Sequence, residues 1–161
     1  MAAYKCDTSA HLNLRNPLPG RPTGYLHLIM KLPVVKTKVQ TRYSDTDAMG
    51  HISNSNYVVY LELGRLDFFN QIHHQCGYFE PFVVANLNLD YVKECFYGDS
   101  IEVVTWCSRV GTKSLTIEAE IYANGGLSAK STLVSVGFNK TTRKSQALPT
   151  DWEPSDYDKQ A

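Results

Sequence analysis

From Arg42 the chain reads Arg-Tyr-Ser-Asp45-Thr-Asp47-Ala-Met-Gly50-His51-Ile-Ser-Asn54-Ser-Asn56-Tyr57, and then continues Val-Val-Tyr60-Leu-Glu62-Leu-Gly-Arg65. Two carboxylates lie one residue apart, just before a stretch with helical spacing. A helix start carries unpaired backbone N–H groups and the positive end of the helix dipole. Such a place can hold a developing oxyanion. A nearby carboxylate, partly enclosed by aromatic side chains, can act as a base or a nucleophile. The two together suffice for acyl transfer to water. The residues alone leave the plainer role open, because an Asp ahead of a helix commonly serves as a cap.

Other chemistries find less footing. Cys6, Cys76, Cys95 and Cys107 are widely spaced and form no C-x-x-C pair, and a chain of this length needs no disulfide staples. Reduced thiols in a cytoplasmic protein are the expected state. His73-His74 and the cysteines do not form a metal-ligand spacing, and no Gly-x-Ser-x-Gly elbow or P-loop occurs. Lys plus Arg equals Asp plus Glu at 16 each, so nothing in the overall charge calls for a nucleic-acid partner. Tyr25–Val35 is the most apolar run, but His27, Lys31 and Pro33 interrupt it, so no membrane span is expected.

The elements that position the acidic segment follow from periodicity. Lys36–Tyr43 alternates, with Lys36, Lys38, Gln40 and Arg42 on one face and Thr37, Val39, Thr41 and Tyr43 on the other. That pattern is a strand with one wet face. Tyr57, Leu61, Gly64 and Phe68 recur at helical spacing and predict a helix from about Asn54 to His73, with Ser53 or Asn54 as its N-cap. Gly64 in mid-helix suggests a close crossing over another element. Four alternating runs follow, over about 86–91, 101–106, 115–122 and 129–138, with turns at Gly111 and at Asn124-Gly125-Gly126 and a bulge expected at Gly137. Strands joined by short turns pair antiparallel. The single long helix must then cover the apolar face of the sheet. The fold class is therefore α+β, a five-stranded antiparallel sheet wrapped around one long helix. Because one helix cannot bury such a sheet completely, a dimer through an edge or face is expected. Residues 1–32, dense in Pro and Gly, read as a mostly irregular tail with at most one short ordered piece. Their scarcity of acids gives a transit peptide a minor claim. Residues 33–148 form the folded domain, and 149–161 read as a loose polar tail.

The acidic segment resembles the signature of the 4-hydroxybenzoyl-CoA thioesterase family of hotdog-fold proteins. The family's Asp-x-Asp pair falls on Asp45 and Asp47, its Gly on Gly50, its Asn-Tyr pair on Asn56 and Tyr57, and its helical acid and Arg on Glu62 and Arg65. The run His51-Ile-Ser-Asn54 resembles the His-Val-Asn-Asn variant of the long-chain branch. The resemblance covers about Val34 to Asn139. It implies a hotdog fold and hydrolysis of an acyl-CoA to a free acid and CoA, with no metal or redox cofactor. It also implies Asp47 as the catalytic carboxylate, Asn54 as the backbone N–H donor to the thioester carbonyl, and a homodimer or homotetramer. His51 and Tyr57 are expected near the acyl group, and Arg109 and Lys113 near the CoA phosphates, with Lys140, Arg143 and Lys144 as competing cations. Asp45 either tunes Asp47 or bonds the loop backbone, and Glu62 and Arg65 can simply pair. Two other readings remain: a hotdog scaffold that binds acyl thioesters without turning them over, and a thioesterase whose acyl carrier is a protein.

Overall fold

The structure, a computed structural model, describes residues 29–78 and 80–157. Of the tail expected over residues 1–32, residues 1–28 lie outside that range. In chain order the elements are β1 (Met30–Lys31), β2 (Val34–Val39), a 3-10 turn (Tyr43–Asp45), α1 (Asn54–Cys76), β3 (Phe82–Tyr91), β4 (Ile101–Val110), β5 (Ser114–Ala123), β6 (Gly126–Asn139), β7 (Lys144–Ser145) and β8 (Trp152–Glu153). The five long strands pair antiparallel in the order β2-β4-β5-β6-β3, with the short β7 beside the end of β6. The sheet curls around α1, which packs on β2 and β4 and more lightly on β5. This is the expected hotdog arrangement.

Binary patterning explains the layering. On β5, Leu115, Ile117, Ala119 and Ile121 are buried and join two apolar clusters. One is built with Tyr57, Tyr60 and Leu61 from the first half of α1, the other with Phe68 and Ile72 from the second. Gly64 lies between the two clusters, where a Cβ would come within 2.6 Å of Thr105 Oγ1 and 2.8 Å of Val103 Cγ1. The expected close crossing is therefore that of helix over β4. Asn124 and Gly125, with φ of 51° and 81°, make the tight β5–β6 turn.

Several boundaries differ from the sequence reading. β2 ends at Val39 rather than Tyr43, because the chain leaves the sheet and closes a 3-10 turn by the bond Asp45 N–H to Arg42 O at 2.9 Å. β3 begins at Phe82, and its alternation is masked by a register shift between Val84 and Asn86. Gly137 carries no bulge and pairs in register with Phe82. Its lack of a side chain admits Leu148 Cδ2, which would lie 2.9 Å from a Cβ there. The segment after Pro149 is not loose throughout. β8 pairs in parallel with β1, Trp152 is buried with Leu32 and Leu148, and its ring meets Tyr78 edge-on at 4.8 Å. Among the described residues no helix is long and apolar enough to cross a membrane.

Candidate active site

The acidic segment folds into a short paired ribbon that runs straight into α1. Thr46 bridges Ile52, and Asp47 N–H donates to His51 O at 2.8 Å. Gly50 turns the tip with φ +83°, a left-handed conformation that suits glycine. Asp47 Oδ1 accepts from the N–H groups of Met49 at 2.8 Å and His51 at 3.1 Å. These Asx-type bonds fix the carboxylate on the ribbon. Asp47 is exposed, and its Oδ2 has no hydrogen-bond partner among the described residues.

The stem of the ribbon is anchored on α1. Ser53 N–H and Asn56 Nδ2 both donate to Asp45 O at 2.9 Å. Asp45 Oδ2 accepts from Tyr60 OH at 2.8 Å and from Arg42 N–H at 2.9 Å. Burial, and then the Asp45 carboxylate, push the Tyr60 phenol well above its ordinary range, so it stays a proton donor. Asp45 thus bonds the loop, one of the two roles expected of it. The far side of the ribbon docks on the β3–β4 connection through Ile52 N–H to Cys95 O at 2.8 Å and a bridge from His51 to Phe96.

Helix α1 begins at Asn54, with Ser53 in the N-cap position but making no side-chain cap bond. The Ser53 hydroxyl is engaged elsewhere, accepting from Asn56 Nδ2 at 2.9 Å and meeting Ser55 Oγ at 3.1 Å. Among the described residues no side chain therefore caps the first N–H groups of the helix, that of Asn54 among them. The half-buried His51 ring stands edge-on to Phe96 at 5.1 Å, with Nε2 3.9 Å from Glu94 Oε2, an ion pair when the imidazole is protonated. Tyr43, Met49, Phe96 and Tyr97 add exposed apolar surface around the ribbon.

Tyr57 is buried in the core, where its hydroxyl accepts from Cys95 N–H at 3.0 Å. Glu62 and Arg65 pair with each other at 3.0 Å. Arg109 and Lys113 line a shallow cleft of about 450 Å3 at the β4–β5 turn, with Thr112 and Ser114. Lys140, Arg143 and Lys144 follow β6 at that same end of the sheet. The ribbon lies at the other end, where Val39 pairs with Ile101. The nine-residue offset from Ile101 to Val110 along β4 separates the two ends by about 30 Å. One chain does not bring Asp47 together with Arg109 and Lys113. Missing from the sequence reading were Glu94, Cys95 and Phe96 beside the ribbon, and the Tyr60–Asp45 bond. Asn56 and Tyr60 stand four residues apart and so share a helix face, a spacing that signals the latter.

A single helix cradled in a curled antiparallel sheet, with an acidic ribbon at the helix start, defines the hotdog class. The family model described as "Thioesterase-like superfamily" matches residues 41–154. The chain is 31% identical to the Bacillus subtilis (strain 168) protein named "Putative acyl-CoA thioesterase YneP", with 78% of this chain and 96% of that protein covered. Among solved structures, "a predicted thioesterase from Bacillus stearothermophilus" superposes with TM-score 0.67 and 34% identity over 74% of this chain and 90% of that one. A Thermus thermophilus thioesterase complexed with coenzyme A and Zn superposes with TM-score 0.64 and 29% identity, covering 74% and 94%. The chain belongs to the thioesterase-like superfamily, and the enzyme class read from the acidic segment stands with it.

Proposed function

We propose that the protein hydrolyses an acyl-CoA thioester to a free acid and CoA, with Asp47 as nucleophile or general base and the Asn54 N–H as donor to the carbonyl oxygen. One observation carries this reading. A carboxylate with one oxygen unpartnered among the described residues is fixed on a ribbon that leads into a helix start that those residues leave without a side-chain cap. His51, beside Asp47 on the ribbon, is positioned to meet the acyl part of the substrate. The CoA-bound Thermus relative supports the carrier. Arg109 and Lys113 suit the CoA phosphates. Their separation from Asp47 along the sheet supports a homodimer or homotetramer in which they serve the site of a neighbouring copy. The outer edge of β3 supports such an assembly, since among the described residues β3 pairs only with β6 and exposes Val83, Val84 and Tyr91. A cytoplasmic setting is supported by free thiols at Cys76, Cys95 and Cys107.

The test is thiol release from aromatic, short, medium and long acyl-CoAs by wild type and Asp47→Asn. Asparagine keeps an oxygen that accepts from Met49 and His51, so the ribbon persists while the charge is lost. Turnover should fall about 10²- to 10⁴-fold, the usual worth of a positioned acid or base, with thermal stability held. Near-wild-type rates in the variant, or no turnover by wild type on any of these substrates, would sink the proposal.

A further inference from the structure

We infer that Tyr60 is a positioning residue for the reaction: through Asp45 it holds the ribbon that presents Asp47. The inference rests on the reading of Asp47 as the working carboxylate. Asp45 is a joint that accepts four bonds. Its carboxylate Oδ2 takes Tyr60 OH and Arg42 N–H, and its carbonyl takes Ser53 N–H and Asn56 Nδ2. Tyr60 and Asn56 reach that joint from the first two turns of α1, while Asp45 stands two residues before Asp47 on the ribbon. Tyr60 itself cannot drift, since its ring is buried in the core beside Leu61 and Cys95. Its hydroxyl therefore transfers the position of the core to the ribbon stem. The same helix supplies the N–H groups for the carbonyl oxygen, so this bond sets the spacing between carboxylate and oxyanion donor. A hydrogen bond to a charged acceptor is among the stronger kinds, and a displacement of about 1 Å in a reacting group can cost about a hundredfold in rate.

The experiment compares wild type, Tyr60→Phe, Thr37→Val and Asp47→Asn by steady-state acyl-CoA hydrolysis, thermal melting and amide hydrogen exchange. Thr37→Val removes a helix–sheet bond of similar make, Thr37 Oγ1 to Asp67 Oδ2 at 2.8 Å, remote from the ribbon. Tyr60→Phe should lower kcat about ten- to a hundredfold with KM little changed, and should speed exchange at the His51 amide. Thr37→Val should lose comparable stability and keep kcat. Equal loss of kcat in both variants would overturn the inference in favour of general stability. Unchanged kcat in Tyr60→Phe, with Asp47→Asn inactive, would overturn it while leaving the carboxylate reading intact. Full activity in Asp47→Asn would remove that reading, and this inference with it.

Discussion

Replacing Gly64 by alanine tests the packing that sets the helix over the sheet. In an open helix the change would stabilise, by about 1 kcal/mol from propensity alone. Here the added Cβ would lie 2.6 Å from Thr105 Oγ1, 2.8 Å from Val103 Cγ1 and 3.4 Å from Val103 Cβ. Ordinary carbon contacts lie at about 3.5–4.0 Å, so the methyl intrudes by nearly 1 Å on two neighbours. Neither can swing aside. Both are fully buried, both are β-branched and stiff at χ1, and β4 is held on both sides by β2 and β5. Overpacking of this kind costs about 1–3 kcal/mol, and the clash with two fixed neighbours places it in the upper half of that range. After the propensity gain, a net loss of about 1–2 kcal/mol remains. For a domain of this size that is a fall in Tm of about 3–6 °C, read by thermal melting and urea titration. Thr105→Ala in the same chain should recover part of it, because Thr105 Oγ1 is buried without a hydrogen-bond partner among the described residues and its removal breaks none of their bonds. The coupling between the two changes should exceed about 0.5 kcal/mol. A Gly64→Ala protein that melts at or above the wild-type temperature would refute the close crossing.

Three further outcomes are expected. Arg109→Ala with Lys113→Ala should raise KM for CoA thioesters several-fold with kcat kept; the effect should shrink at high salt and vanish for acyl thioesters lacking the nucleotide phosphates, as steady-state kinetics on both substrates will tell. Trp152→Ala should destabilise the fold by about 3–5 kcal/mol, measured by urea titration, since the ring fills a core shared with Leu32, Leu148 and Tyr78. Burial pushes the Cys107 thiol up to about 11 from an ordinary 9.0, so between those values the unfolded chain loses a proton that the native state keeps. Stability from this group is full below pH 9.0 and fades as the pH rises to about 11, by roughly 2–3 kcal/mol; a Cys107→Ala chain should show a shallower decline of Tm over that window.

What the sequence disclosed was what neighbouring residues settle among themselves. The alternation on β5, the helical stripe from Tyr57 to Phe68 and the Asn124-Gly125 turn each lie within one element, and each formed where the pattern placed it. Pairings between distant residues carried no such mark. Met30 meets Trp152 in parallel register, and neither segment alternates over enough residues to announce a strand. Gly137 shows the same limit, because a glycine reads alike whether it serves a bulge or makes room for Leu148. The first half of β3 lacks alternation, because Val83 and Val84 are consecutive and the register shifts between Val84 and Asn86.

The candidate site divides along the same line, and the division bears on mechanism. Asp47, Gly50 and His51 are close in sequence, and the ribbon brings them together by local bonds just ahead of the helix start at Asn54. The family resemblance points Arg109 and Lys113 to the substrate, and no local signal fixes where they stand relative to Asp47. The register of β2 on β4 sets the ribbon at the Ile101 end, and the register of β4 on β5 sets the cations at the Val110 end. If both sets meet one CoA thioester, the separation of the two ends favours their coming from different copies of the chain. A mixed assembly then makes the point testable by complementation. Chains carrying Asp47→Asn, mixed and refolded with chains carrying Arg109→Ala and Lys113→Ala, should form some sites that hold both Asp47 and the two cations. Activity at low substrate should then exceed the mean of the two parent proteins. Activity equal to that mean, in assemblies shown to be mixed, would place the carboxylate and the cations on independent sites.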